Sequence, residues 1–258
     1  MDVPHNTKKT TLDAWNGYHS IGLREEDRHM TMFITPWGRY RYTRSPQGYL
    51  ASGDGYTHRY DRVTVGVRNI KRVIDDTLLY AKNLEEAFRQ VAEYLTLVGK
   101  NGIILNSEKF HFGEDTVDWA VIRLTKNKAQ PLPEHVSAIR EFPRPNNITD
   151  LRSYYALVSQ VAHYYAVSPH LEPFRVLMKK SVTWYWDAAL DRLFEESREH
   201  IAKSVMEGIT RYDKAKWTAA ITDWSKSGMG YFMSQKYCKC LEITPICCAD
   251  GWKVCMVG

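Results

Sequence analysis

The chain has 258 residues, of which 44% are apolar and 25% charged, with a formal net charge of +5. That length can bury one large core or two to three small ones, and the mild excess of Lys and Arg fits a nucleic-acid partner without demanding one. No apolar run reaches membrane-spanning length, the start "MDVPHNTKKTTLDAW" has no hydrophobic secretory core, and all five cysteines fall after residue 237, which is no disulfide framework and makes an intracellular, reducing setting the default.

To about residue 126 the chain mixes strand-like and helix-like segments. "MTMFITPWGRYRYTRSPQG" reads as two strands around a Pro-Trp-Gly turn. "NLEEAFRQVAEYLTLVGKNG" is the clearest helix: Asn83 caps it, two glutamates occupy its first turn, Leu84, Phe88, Val91, Leu95 and Val98 form an apolar stripe, and Gly99 ends it. "GIILNSEKFHF" and "TVDWAVIRLT" read as strands. The two prolines of "NKAQPLPEHV" mark a boundary, after which residues 130–206 read helical. Within them "NNITDLRSYYALVSQVAHYY" has a Thr149 cap and an apolar face of Leu151, Tyr155, Val158 and Ala162. From about residue 207 strands return, in "WTAAITDWS" and "GMGYFMSQKYC".

Between residues 72 and 80, "RVIDDTLLY" sets Asp75 and Asp76 between two short apolar runs. Neighbours on a strand point to opposite faces, so a shared role requires two strands joined at the pair, with both carboxylates at the hairpin tip. Asp-Asp lacks the glycine such turns prefer, which makes the turn strained. Either this is a solvated acidic turn or a divalent cation sits between the acids. A second acid, Asp13, ends the run "TTL" in "TTLDAWNGYHSI", ahead of a turn-forming "WNG" and Tyr18.

An apolar-Asp-Asp hairpin together with Asp, four residues and Tyr is the layout of a polymerase palm. Here the sequence resembles the reverse transcriptases of gypsy-type long-terminal-repeat retrotransposon polyproteins. The resemblance runs collinearly through "LDAWNGYHSI", "FITPWGRYRYTRSPQG", "VIDDTLLYAKNLEEA", "LNSEKFHF", "LPEHVSAIREFPRPNNITDLRSYYALV" and "TDWSKSGMGY". It implies an α+β fold: a palm with partial fingers over residues 1–126, a helical thumb over 127–206, and an incomplete ribonuclease H-like domain over 207–258. It implies an RNA-directed DNA polymerase that extends a primer 3′-hydroxyl with deoxynucleoside triphosphates by two-metal chemistry, using Mg²⁺ or Mn²⁺.

Carried onto this chain, the resemblance makes Asp13 and Asp75 the bridging metal ligands, with Asp76 a weaker third. Tyr18 lies under the nucleotide sugar and excludes a 2′-hydroxyl. Gln47 contacts the nucleotide, and Lys109 sits beside the triphosphate, where it can protonate pyrophosphate. Arg140, Arg144 and Arg152 are candidates for phosphate contact along a hybrid recognised by shape. The implied partners are an RNA template, a DNA primer and their hybrid, with further polyprotein segments or an oligomeric partner; the implied location is the cytoplasm, the nucleus or a virus-like particle.

The chain departs from the family pattern at four places. Only twelve residues precede Asp13, fewer than the family's basic fingers segment. Val73 stands where an aromatic is usual, and Ala120-Val121 replaces a Leu-Gly pair near the primer. Asp223, matching the first ribonuclease H aspartate, lacks its companion acids before residue 258. An internal piece of a polyprotein, or a decayed genomic copy, is therefore expected, with weak or no activity alone; the alternative is a non-catalytic or domesticated nucleic-acid-binding remnant. The cysteines in "CKCLEITPICC", namely Cys238, Cys240, Cys247 and Cys248, could ligate zinc. Neither pair has the usual two-to-four-residue spacing, and reduced thiols on a loop between ribonuclease H strands are the expectation.

Overall fold

The structure, a computed structural model, describes residues 3–165, 167–179, 181–225, 228–241, 247–248 and 251–257. The chain divides into two units: Asn6–Ala120, and the N-terminal residues through His5 together with the chain from Val121 onward. No helix among the described residues is long and apolar enough to cross a membrane.

The Asn6–Ala120 unit begins with β1 (Lys8–Asp13). The hairpin β2 (Met32–Thr35) and β3 (Gly38–Arg41) follows, turning at Pro36-Trp37 as expected. Then come α1 (Leu50–Thr64), β4 (Ile70–Val73), β5 (Asp76–Ala81), α2 (Leu84–Lys100), β6 (His111–Glu114) and β7 (Val117–Trp119). The main sheet has the order β4-β5-β1-β6, its registered pairs antiparallel. β1 is central, with five of its six residues buried. Its Lys9 is wholly buried, and its ammonium donates to the carbonyls of Thr7 (3.0 Å) and Asp115 (2.7 Å). Leu12 and Leu79 from the strands join Tyr56, Tyr60, Val91, Tyr94 and Val98 from the helices in one core.

Three expectations need correction here. First, α2 is capped by Asn83, whose side chain accepts from the Glu86 N–H at 2.9 Å, but its buried face is Ala87, Val91, Tyr94 and Val98. Leu84, Phe88 and Leu95 face solvent. Tyr94 wins the inner face because its hydroxyl finds partners there, Tyr60 Oη at 2.5 Å and Thr77 Oγ1 at 3.2 Å. Gly99 lies within the helix; the left-handed residue beyond it is Gly102 (φ 66°). Second, "GIILNSEKFHF" supplies only the short β6, preceded by a single-turn 3-10 helix at Ser107–Lys109. Third, α1 was not anticipated. Its buried residues, Ser52, Tyr56, Tyr60 and Thr64, recur every fourth position, but hydropathy does not flag such a stripe and two glycines interrupt it. At the Ala120–Val121 step the left-handed backbone falls on Ala120 (φ 52°), and Val121 is exposed.

The second unit contains β8 (Ile122–Leu124), β9 (Lys128–Pro131), α3 (Pro133–Arg140), α4 (Ile148–Ser159), α5 (Ser168–Arg175), α6 (Ala188–Met206) and β10 (Ile209–Thr210). Strands β8, β9 and β10 pair side by side, and β9 claims the first residues of the stretch expected to be helical. The helices gather around Phe194, whose ring meets Tyr154 at 4.8 Å, Trp186 at 5.7 Å and Phe174 at 6.0 Å. The cap of α4 is Asn147, not Thr149: its side chain accepts from the N–H groups of Thr149 (2.8 Å) and Asp150 (2.9 Å). The buried face of α4 is Leu151, Tyr154 and Val158. The chain then forms a three-stranded antiparallel meander, β11 (Thr218–Ser225), β12 (Gly228–Lys236) and β13 (Trp252–Val257). Lys226 and Ser227 of "TDWSKSGMGY" lie outside the described residues.

Candidate active site

The site is built where three segments of the Asn6–Ala120 unit are stitched together by their backbones. Asp13 closes β1 and is registered against Asp76. The Ala14 N–H donates to the Asp75 carbonyl (3.1 Å), and the Asn106 N–H donates to the Asp13 carbonyl (2.8 Å). These bonds hold the end of β1 between the β4–β5 turn and the segment that carries Lys109.

The turn differs by one residue from the sequence expectation. Val73 pairs with Asp76, so the two tip residues are Ile74 and Asp75, while Asp76 opens β5. Ile74 has φ 52°, and Asp75 is not left-handed. Positive φ at the first tip residue alone is the signature of a type II′ turn, where glycine is preferred. A β-branched residue there is strained, so the strain expected of the Asp-Asp pair falls on Ile74 instead. Arg72 helps hold the strain: its guanidinium donates to the Ile74 carbonyl (2.5 Å), pairs with Asp61 and lies over the Tyr60 ring at 4.8 Å. The one-residue shift solves the problem of facing: the turn, not a strand alternation, aims Asp75.

Asp13, Asp75, Tyr18, Gln47, Tyr56 and Lys109 line one cleft of about 270 Å³. Lys109 Nζ lies 3.0 Å from Asp13 Oδ2. This hydrogen bond, and then the charge of Asp13, push the lysine's pKa up. Asp76 is half-buried; burial, followed by the charges of Asp75 and Asp13, holds its carboxyl above the usual carboxylate range, with Lys109 opposing. Tyr18 stands edge-on to Tyr56, ring centroids 5.7 Å apart. Gln47 follows a loop pinned by Ser52, which donates to the Pro46 carbonyl (2.6 Å) and accepts from Ser45 (2.8 Å).

Tyr56, Arg72 and Gly17 were not found from the sequence. A Cβ at Gly17 would lie 2.7 Å from Cζ of Tyr56, so glycine lets that ring reach the cleft wall. Burial drives the Tyr56 pKa up, and its buried hydroxyl has no hydrogen-bond partner among the described residues. Nothing in "GDGYTHRY" signals this role; it follows from how α1 packs.

The donor set suits a hard divalent cation: all-oxygen ligands, with Lys109 as counter-charge. The three carboxylates do not draw together into one tight donor group. Among the described residues the side chains that do so are the four cysteines Cys238, Cys240, Cys247 and Cys248.

The remaining expected residues lie in the other unit. Arg140 Nε is 3.4 Å from Glu199, Arg144 Nε is 3.4 Å from Asp191, and Arg152 is exposed. Asp223 is exposed on β11 opposite Gly230, its carboxylate accepting from the Trp224 N–H at 2.8 Å. Among the described residues no cluster of metal-donor side chains forms around it.

Residues 2–124 match the family model for reverse transcriptase (RNA-dependent DNA polymerase). The chain is 27% identical over 248 residues to the Retrovirus-related Pol polyprotein from transposon gypsy of Drosophila melanogaster, covering 88% of this chain and 23% of that one. It is 27% identical over 154 residues to the corresponding polyprotein from transposon opus of the same organism, covering 58% of this chain and 15% of that one. The chain thus spans under a quarter of the length of either polyprotein. Among solved structures, the foamy viral protease-reverse transcriptase in complex with RNA/DNA hybrid superposes with a TM-score of 0.80 at 17% identity, over 97% of this chain and 32% of that one. Fold and motifs therefore agree: the chain has the reverse transcriptase fold, and its residues 2–124 match the reverse transcriptase (RNA-dependent DNA polymerase) family model, as the similarity to the gypsy Pol polyprotein also indicates.

Proposed function

We propose that this chain carries the template-directed step of reverse transcription: deoxynucleoside triphosphates are joined to a DNA primer 3′-hydroxyl on an RNA template. The observation that carries this reading is that Asp13 and Asp75, far apart in sequence, line the same cleft as Tyr18, Gln47 and Lys109. Asp13 and Asp75, with Asp76 beside them, would hold two Mg²⁺ or Mn²⁺ ions, which when bound acidify the attacking hydroxyl and stabilise charge on the leaving pyrophosphate. Lys109 brings a cation whose proton is held firmly by its acidic surroundings; it neutralises part of the carboxylate charge and lies where a triphosphate would add more. Tyr18, braced by Tyr56, would form the wall against which a sugar packs, and its ring would exclude a 2′-hydroxyl by size. Gln47 offers an amide to the nucleotide. In the other unit, Arg140, Arg144 and Arg152 would meet the phosphates of the hybrid; their exposed pairings with Glu199 and Asp191 are weak enough to exchange.

Primer extension on an RNA template tests the reading. The purified chain should incorporate deoxynucleotides only weakly in the presence of Mg²⁺. Asp75→Asn should lower the rate by about 10²–10³-fold or more, the scale of losing one preorganised charge-stabilising group. Extension by Asp75→Asn at the parent rate would overturn the assignment. Binding of the hybrid without any incorporation would favour the remnant reading.

A further inference from the structure

The fold brings Cys238, Cys240, Cys247 and Cys248 together although the sequence separates them as a Cys-x-Cys and an adjacent pair. They lie at the end of the β12–β13 hairpin. Its last registered pair is Lys236–Trp252. Beyond it the backbones continue to bond: the N–H groups of Tyr237 (2.7 Å) and Cys238 (3.3 Å) both donate to the Gly251 carbonyl, and the Gly251 N–H donates to the Cys248 carbonyl (3.1 Å). The ladder thus carries Cys238 opposite the segment that holds Cys247 and Cys248. Residues 242–246, 249 and 250 lie outside the described residues.

We propose that these four cysteines form a structural zinc site. Their four sulfurs all lie within 4.8 Å of one another, and the Cys238–Cys247 pair is 3.3 Å apart. Zinc–sulfur bonds of about 2.3 Å in a tetrahedron place the sulfurs about 3.8 Å apart, inside that range. Gly251 makes the convergence possible. A Cβ there would sit 2.4 Å from the Cys248 sulfur and 2.7 Å from the Cys238 sulfur. Its φ is not left-handed, so the glycine serves space and not backbone conformation. Four thiols gathered at a partly exposed hairpin end gain little from one another, but four thiolates around zinc gain strongly. The charge is also provided for: the Lys236 ammonium donates to the Cys240 carbonyl, and Lys239 stands between the first two ligands. The fifth cysteine, Cys255, is set apart: it is buried on β13, with its thiol donating to the Met233 carbonyl at 3.4 Å.

Four protein ligands leave no open position, so the site would be closed and structural. It would add a clamp to the end of the β12–β13 hairpin, beyond its last backbone hydrogen bonds. Binding converts thiols to thiolates and releases their protons to solvent.

The test uses the full chain, purified under reducing conditions and reconstituted with Zn²⁺ or Co²⁺ alone. Metal analysis should find about one zinc per chain. The cobalt form should show thiolate-to-cobalt charge transfer together with the d–d bands of a tetrahedral all-sulfur site. Cys247→Ser and Gly251→Ala should lower occupancy and alter the cobalt spectrum, whereas Cys255→Ala should do neither. The unsubstituted chain gives the spectrum by itself, so the outcome survives a variant that fails to fold. An octahedral cobalt spectrum, zinc at background level, or zinc content unchanged in Cys247→Ser would overturn the proposal. Recovery of a Cys238–Cys247 disulfide from zinc-supplemented reducing buffer would do the same. None of these readouts depends on polymerase activity.

Discussion

Ile74 places a β-branched residue at φ 52° beside the acid that the site depends on. Two substitutions isolate that strain. Ile74→Ala and Ile74→Gly both remove the same half-exposed side chain beyond Cβ, so the lost packing nearly cancels between them. What remains is the left-handed penalty for an L residue, about 1–2 kcal/mol, against the extra freedom of glycine in the unfolded chain, about 0.4–1 kcal/mol. At mid-range Ile74→Gly should be the more stable variant by about 0.8 kcal/mol. That reverses the usual order, in which glycine is the less stable of the two outside left-handed positions. Equilibrium urea unfolding measures the difference, provided the two m values agree. In thermal scans it corresponds to about 2–3 °C for a chain of this size. An Ile74→Ala protein as stable as Ile74→Gly would refute the left-handed turn and with it the account of how Asp75 is aimed.

Tyr56→Phe removes a buried hydroxyl that has no partner among the described residues, and should raise stability by about 1 kcal/mol; a loss of that size in urea unfolding would mean the hydroxyl is satisfied. Asn147→Ala should cost about 1 kcal/mol by uncapping α4, and Thr149→Ala much less; equal costs would restore Thr149 as the cap. Burial, followed by the charge of His200, lowers the pKa of His170. The unfolded chain therefore takes up this proton first as the pH falls, so the stability His170 supplies is complete above about pH 6.5 and is lost below it, toward its lower folded-state value. Urea midpoints followed by helical circular dichroism should fall between pH 7 and pH 5, and His170→Gln should flatten that fall.

Local chemistry was enough to identify the Asn83 cap, the Pro-Trp turn between β2 and β3 and the first two strands of the last meander, while the family resemblance supplied the collinear motifs around Asp13 and Asp75. Each depends on a few neighbouring residues: an amide that can accept from a helix N–H, a turn the backbone can make, a run of strand formers. Where tertiary packing decides, the pattern in the sequence misleads. The greasier stripe of α2 faces solvent because Tyr94 finds hydroxyl partners inside. The four-residue recurrence of Ser, Tyr, Tyr and Thr buries α1 although hydropathy does not mark it. The acid pair is split between a turn tip and a strand because register, and not composition, sets which residue turns. The cysteines show the same limit most plainly. Their spacing along the chain fits no common zinc pattern, yet a hairpin ladder returns residue 251 to residue 238, and glycine there leaves room for the sulfurs. Distance along a chain bounds which groups can meet; only the paired backbone determines which of them do.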